Sequence, residues 1–317
     1  MHKTILFTML LITSLFAIHI KPITHYEASG SVTDIVVKDT KLYTSTIEGV
    51  LDVFDLKSKK IINKIYVPKI KDFMGDDVTA KIYSVDVLNG SILLLSQANI
   101  GYRNLFIYKN SILKNIINVK DSLSIAKAKF LDENTLMLGL LSNEIISFDI
   151  KSKTQNWLTQ ASGAKFSDFA LNDDKTQIVV ADESGDLKIL DTKSGKILHI
   201  LKGQNLDNVF QVDYKNNIIA TAGQDRRTVI YKVDEHYSSY YKQVHFLIYS
   251  VGLSPSGKLA GFASDEQNNI TVFNTSTKEE LGIFSGNKMT LTKILFIDEN
   301  RFLSASDDKD INLYQIK

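Results

Sequence analysis

Few of this chain's side chains are of the types that carry catalysis or bind metal, and their spacing forms no reactive set. The six histidines are His2, His19, His25, His199, His236 and His245. No two stand two or four residues apart, the spacings that turn two imidazoles toward one metal from a strand or a helix. Cysteine is absent, which removes disulfides, thiolate catalysis, iron–sulfur ligation and thioether haem attachment. Adjacent carboxylates are commoner, at Asp76-Asp77, Asp173-Asp174, Asp182-Glu183 and Asp307-Asp308. The last three pairs sit in turn-like sequence, where aspartate accepts hydrogen bonds from nearby backbone N–H groups. Asp76-Asp77 lies in a longer loop but lacks the repeated oxygen ligands of a calcium loop. No Gly-x-Ser-x-Gly elbow, Walker loop or Gly-x-Gly-x-x-Gly turn occurs. The residues predict no catalytic group, no metal site, no cofactor, and a protein that is not an enzyme.

The charge is balanced, with 37 basic and 36 acidic residues and a formal net charge of +1. Only four of the basic residues are arginine: Arg103, Arg226, Arg227 and Arg301. A nucleic-acid binder would concentrate positive charge in a stripe and favour arginine for bidentate contacts. A lysine-rich solvated surface is the expectation instead.

The elements that must position any functional side chain announce themselves by repetition. Val53-Phe54-Asp55, Ile107-Tyr108-Lys109, Ser147-Phe148-Asp149, Ile189-Leu190-Asp191, Ile230-Tyr231-Lys232, Val272-Phe273-Asn274 and Leu313-Tyr314-Gln315 recur at steps of 54, 40, 42, 41, 42 and 41 residues. Short alternating strands separated by turn residues, repeating every 40–45 residues, specify an all-β, seven-bladed β-propeller. The blades are expected at Ser31–Val67, Lys81–Lys120, Ser124–Ala161, Lys165–Lys202, Asn208–His245, Phe246–Ser285 and Thr290–Lys317. The last stops after three strands. The segment from Pro22 to Ala28 has strand character and is expected to supply the missing outer strand, closing the ring and removing an open edge.

The repeat resembles the WD40 family. Ala305-Ser306-Asp307-Asp308 before Ile311-Asn312-Leu313-Tyr314, and Ala222-Gly223-Gln224-Asp225 before Val229-Ile230-Tyr231, match that family's strand b–turn–strand c core. Asp225 and Asp308 take the place of its turn aspartate and are expected to be structural. The resemblance is degenerate. The only tryptophan, Trp157, is not in strand c, and the Gly-His pair appears as Gly203-Gln204 and Gly286-Asn287. The family's Asp-His-Ser-Trp network is thus incomplete in every blade, which implies more reliance on aliphatic packing between blades.

The 54-residue step holds two insertions. One, Pro68 to Asp77, joins the first and second blades. The other, Ala98 to Asn104, joins strands b and c of the second blade. By the resemblance, both connections emerge on one face, the top. Phe73, Met74, Asp76, Asp77, Tyr102 and Arg103 would stand there, with Arg226 and Arg227 of the fifth blade on the same face. Aromatic residues, methionine and arginine are enriched at protein interfaces, so these eight are the candidate partner-binding residues. The Tyr237, Tyr240 and Tyr241 cluster is expected to pack against the next blade.

Met1-His2-Lys3 is short and basic, Thr4 to Ile20 is almost wholly apolar, and Lys21-Pro22 ends the run. Residues 1–20 read as a signal peptide with Ala17 a plausible cleavage point, followed by one propeller domain over 22–317. An uncleaved anchor is the other reading of so short an apolar run. In length, lack of cysteine and richness in Lys, Ile and Asn, the chain is similar to exported WD-repeat accessory proteins of periplasmic nitrate reductase systems. That resemblance implies a periplasmic protein-interaction scaffold or maturation factor whose partners are nitrate reductase components. The alternative is a propeller enzyme or small-ligand binder using the central channel. It requires a ring of inward polar side chains, and the sequence shows no such convergent cluster.

Overall fold

β-Branched and aromatic residues in short alternating runs, punctuated by residues that tolerate positive φ, leave the chain one economical solution, a series of antiparallel meanders. The computed structural model describes residues 19–316; the signal-peptide reading of residues 1–20 falls outside them except for His19 and Ile20. The meanders form seven blade sheets, six of four strands and one, the sixth blade, of five. Their innermost strands are Val32–Lys38, Ile82–Leu88, Ile125–Phe130, Phe166–Leu171, Val209–Lys215, Val251–Leu253 and Leu291–Phe296. Consecutive innermost strands pack side by side around the ring, the seventh against the first. The tight a–b and c–d turns use left-handed residues such as Asp39, Asn89, Asn110, Lys153 and Asn217.

The N-terminal segment closes the ring as expected. Thr24–Glu27 pairs antiparallel with Asp310–Gln315, in the register Thr24 to Leu313 and Glu27 to Asp310. Tyr26 is fully buried there, its ring edge-on to Phe54 of blade 1 at 5.6 Å and its hydroxyl donating to the Leu56 carbonyl at 3.1 Å. One element was not expected. His19–Ile20 adds a fifth strand to blade 6, parallel to its outer strand Glu280–Phe284. The segment therefore staples two neighbouring blades.

Seven apolar clusters fill the seven seams, each drawn from two adjacent blades. Each large side chain buried there contributes roughly 1.5–3 kcal/mol, so the seams dominate stability. Trp157, in the outer strand of blade 3, reaches across one seam and donates to the Thr192 carbonyl of blade 4 at 3.0 Å. Of the tyrosine cluster only Tyr240 packs on the next blade as expected; Tyr237 lies against His199 of the preceding blade at 4.6 Å, and Tyr241 is exposed beneath Arg227 of its own blade. Tyr240 donates to the Thr275 carbonyl of blade 6 at 2.6 Å, and burial pushes its hydroxyl up to about 12.

The polar network inside blades 5 and 7 is fuller than the sequence suggested, because asparagine takes the hub that the WD40 resemblance gives to histidine. In blade 5, Thr221 Oγ1 donates to Asn205 Oδ1 at 2.8 Å, and Asn205 Nδ2 donates to the Tyr231 hydroxyl at 3.3 Å. In blade 7, Ser304 Oγ and Asn312 Nδ2 donate to Asn287 Oδ1 at 2.6 and 3.0 Å. Tyr231 and Tyr314 occupy the strand c aromatic position, and burial raises both hydroxyls well above the ordinary tyrosine range. Asp225 is structural here. Its carboxylate accepts from the backbone of Leu206 at 2.7 Å and of Arg227 at 3.0 Å. Asp308 accepts from the Lys309 backbone at 2.7 Å, and its carbonyl accepts from Val32 at 3.0 Å.

Candidate functional site

The two insertions of the second blade touch. Pro68 to Asp77 forms a small hairpin, pairing Ile70 with Val78 and Lys71 with Asp77. Asp72 shapes its tip: one carboxylate oxygen accepts from Met74 and Asp76 backbone N–H groups at 2.8 and 2.9 Å. Gly75 follows at φ +90°, a left-handed conformation that glycine adopts without steric cost. This tight tip pushes two apolar side chains outward, Phe73 at 96% exposure and Met74 at 73%. The second insertion lies beside it, with the Lys71 backbone N–H donating to the Asn99 side chain at 3.2 Å.

Ile100 heads that second loop, 87% exposed and left-handed at φ +61°, which a β-branched residue adopts only under constraint. Arg103 supplies the constraint. Its Nη1 donates to the Gly101 carbonyl at 2.7 Å and the Tyr102 carbonyl at 3.1 Å, and its guanidinium lies 4.1 Å from the Tyr83 ring. Arg103 is therefore a brace within the loop, with Tyr102 half-buried beside it. Asp77 is exposed and paired with Lys71 at 2.9 Å, whose hydrogen bond and charge hold it below the usual carboxylate range. Asp76 is exposed next to it. The structure thus brings Phe73, Met74, Asp76, Asp77, Tyr102 and Arg103 together. Arg226 and Arg227 lie three blades away. Arg226 is exposed in a turn. Arg227 is a second brace, donating to Gln204 O at 2.9 Å and Gln243 Oε1 at 3.1 Å and lying over Tyr241.

The face carrying these loops differs from the opposite one. Six exposed large apolar side chains stand on its d–a and b–c connections: Ile47, Phe73, Met74, Ile100, Leu206 and Met289. Among the described residues the other face exposes Ile112, which closes the c–d turn of the second blade, and the remaining exposed apolar residues lie on or next to outer strands. Half-buried aromatics from the start of the innermost strands continue the apolar surface toward the channel mouth, with Phe210 and Tyr249 stacked at 5.3 Å and Phe246 edge-on to Tyr249. Sequence reading passed over Asp72 and Asn99, which position the insertions, and over this rim. The aromatic at the second position of Ile82–Leu88 (Tyr83) and of Val209–Lys215 (Phe210) was the available signal.

The channel corrects one expectation outright. A convergent polar cluster exists, built from alternate positions of the innermost strands: Asp34, Asp86, Lys127, Lys129, Asp168, Asp213 and Lys293. The four aspartates pin the seams. Asp34 accepts from Val85 N at 3.2 Å, Asp86 from Phe130 N at 2.8 Å, Asp168 from Val212 N at 3.1 Å and Asp213 from Leu253 N at 2.9 Å, always on the next blade. Lys127 pairs with Asp168 at 2.5 Å. Burial drives the Lys127 ammonium below its ordinary value, with Asp168 opposing. Lys293 is held above its ordinary value, since Asp34, Asp168 and Asp213 outweigh the desolvation that acts the other way. The sixth blade contributes no side chain at this level. Gly252 stands where the Ile294 carbonyl would come within 2.5 Å of a Cβ. A charge between apolar neighbours in an innermost strand, as in Val85-Asp86-Val87 and Thr292-Lys293-Ile294, was the overlooked signal.

The channel has two compartments, a narrow one of about 160 Å³ toward the loop face and a wider one of about 510 Å³ toward the turn face. Among the described residues no three His, Asp or Glu side chains are gathered as a metal site requires.

No family model matches the chain, and no curated protein resembles it significantly. Among solved structures, the β-propeller domain of Cps50 (Swd1) from Myceliophteria thermophila aligns over 93% of this chain and 99% of its own, with a TM-score of 0.77 and 11% identity. That likeness is one of fold, and it establishes the seven-bladed propeller as the architecture of this chain.

Proposed function

We propose that this protein is a non-enzymatic interaction scaffold or maturation factor whose partner docks on the loop face around the second blade. The grouping of exposed apolar side chains supports the reading: Ile47, Phe73, Met74, Ile100, Leu206 and Met289 stand on the loops of one face, while among the described residues only Ile112 closes a turn of the other. Water-exposed Phe73 and Met74 on a braced hairpin form the kind of anchor that fills a pocket on a partner. The constrained Ile100 beside them fits a surface shaped for contact, since strained backbone concentrates at functional sites. Arg103 serves by holding that loop.

The propeller is further proposed to be exported to the periplasm. The basic start, apolar run and small Ala17 at residues 1–20 support this reading. Cleavage after Ala17 keeps in the mature chain His19 and Ile20, which form the fifth strand of blade 6. The most specific reading is an accessory role in a periplasmic nitrate reductase system, with its components as partners. It rests on similarity in length, cysteine-free composition and Lys-, Ile- and Asn-richness to NapL, the exported WD-repeat protein encoded beside that enzyme in epsilonproteobacteria.

The test is capture from the native periplasm with tagged mature chain and light crosslinking. Recovery of nitrate reductase components, lost with a Phe73→Ser/Met74→Ser variant of unchanged melting temperature, is the expected result. Equal recovery with that variant would remove the loop face from the proposal, and a different partner would remove the nitrate reductase assignment.

A further inference from the structure

The wide compartment of the channel, at the mouth opposite the proposed docking face, has a charge pattern of its own. Its wall comes from all seven innermost strands and carries six lysines against three aspartates, Asp86, Asp173 and Asp213. Lys127 is paired with Asp168, Lys129 with Asp34 and Asp86, and Lys215 with Asp173, so the local positive excess rests on Lys38, Lys175 and Lys293.

The aspartates are already committed. Asp86 accepts from Phe130 N at 2.8 Å. Asp213 accepts from Tyr214 N and Leu253 N, both at 2.9 Å. Asp173 accepts from Asn216 N at 2.7 Å and Lys215 at 3.4 Å. The cations keep spare donors. Lys38 and Lys293 have no side-chain hydrogen-bond or ion-pair partner among the described residues, and Lys175 donates to Phe130 O at 2.8 Å; Lys129 donates to Val85 O at 2.8 Å and also lies 3.7 Å from Asp86 and 3.9 Å from Asp34. An ammonium has three donors, so Lys38 and Lys293 keep all three and Lys175 keeps two, while Lys129 is shared with Asp34 and Asp86.

Lys175 reaches inward from a turn in which it is itself left-handed, at φ +58°. Its ammonium sits below the ordinary lysine value, chiefly through burial; Lys38 and Lys129 push it further down against Asp86 and Asp132. Between the cations the wall is aliphatic: Val37, Val87, Leu171, Leu253 and Leu295. A volume near 510 Å³ falls in the range of small-molecule sites.

We propose that the wide compartment binds a small organic anion bearing two or more carboxylate or phosphate groups, held by Lys38, Lys129, Lys175 and Lys293. Cations converging on a half-apolar cavity fit an organic polyanion better than a bare monovalent ion. Lys38, at the end of its strand, and Lys175, on its turn, form the outer grip, while Lys129 and Lys293 form the inner one. This site is independent of the loop face.

The experiment is isothermal titration of the mature protein at low ionic strength with citrate and, separately, with pyrophosphate. The expected result is saturable one-to-one binding of at least one probe. It weakens tenfold or more in a Lys38→Gln/Lys175→Gln variant and is unchanged in a Lys57→Gln/Lys59→Gln surface control. Binding of citrate alone assigns a polycarboxylate ligand, and of pyrophosphate alone a phosphorylated one. No saturable binding of either probe overturns the proposal, as does equal binding by the Lys38/Lys175 variant. Lys38→Gln alone, at an exposed position, serves as the test should the double variant not fold.

Discussion

The backbone N–H of Lys71 donates to the side-chain oxygen of Asn99 at 3.2 Å, across the gap between two loops that are 28 residues apart in sequence. Neither insertion has a core of its own. The bond lets each limit the freedom of the other, and so presents Phe73, Met74 and Ile100 as one surface. Asn99→Ala should leave the global melting temperature within about 1 °C, since surface substitutions away from the core usually stay within ~0.5 kcal/mol. Amide exchange at Lys71 should rise and partner capture should fall. Unchanged exchange at Lys71 would show that the loops hold their shape separately.

Asn205 and Asn287 are each the centre of a buried polar group inside one blade. Replacing either with alanine strands its partners, Thr221 and Tyr231 in one case and Ser304 and Asn312 in the other. Each stranded buried polar atom costs about 1–3 kcal/mol. Chemical denaturation should therefore show a loss of at least ~1 kcal/mol for either variant. A neutral Asn287→Ala would mean the network contributes nothing beyond the aliphatic seams.

Tyr26 joins ring closure to the core. Tyr26→Ala removes a buried aromatic, the edge-on contact with Phe54 and the hydrogen bond to Leu56 O. Large-to-small changes of this kind cost about 3–5 kcal/mol. Deleting residues 22–28 should cost more, because the outer edge of blade 7 is exposed as well. A denaturation midpoint unchanged by the deletion would contradict closure by this strand.

Asp182 gives the protein an acid limb to its stability curve. The carboxyl is wholly buried and bonded to Lys188 Nζ at 2.5 Å, Ser162 Oγ at 2.7 Å and Asn143 Nδ2 at 2.8 Å. Burial alone would raise its pKa, yet bonds from Lys188, Ser184 and Ser162 prevail and lower it. With a folded value below the unfolded one near 3.9, the unfolded chain binds more protons in that window. The stabilisation is full above pH ~4 and is lost as pH falls through the folded value. Lys188→Met leaves a buried carboxylate without its cation and should destabilise by roughly 3–5 kcal/mol at pH 7. It should also move the acid limb to higher pH. An unshifted limb would assign it to other carboxylates.

Some of this protein was readable from one dimension, for a physical reason. Strand alternation and turn residues are local, and a blade is a local meander. The repeat of Phe54, Tyr108, Phe148, Leu190, Tyr231, Phe273 and Tyr314 therefore determined the number of blades. The three-stranded end beside the strand-like segment at Pro22 to Ala28 determined how the ring closes. The two insertions stood out as departures from the period.

What side chains do across the ring belonged to the tertiary structure alone. Asp34 meets Val85, and Asp213 meets Leu253, only because neighbouring blades set their innermost strands side by side. The charged belt is spread over the chain from Asp34 to Lys293, with no local spacing to betray it. Arg103 looked like an open contact until folding placed Tyr83 under its guanidinium, 4.1 Å away. Asn205 becomes the centre of a polar group only where folding brings Thr221 and Tyr231 around it. Local pattern decides which strands form, and the burial of seven seams against one another decides which polar groups must find partners and where the exposed apolar ones remain.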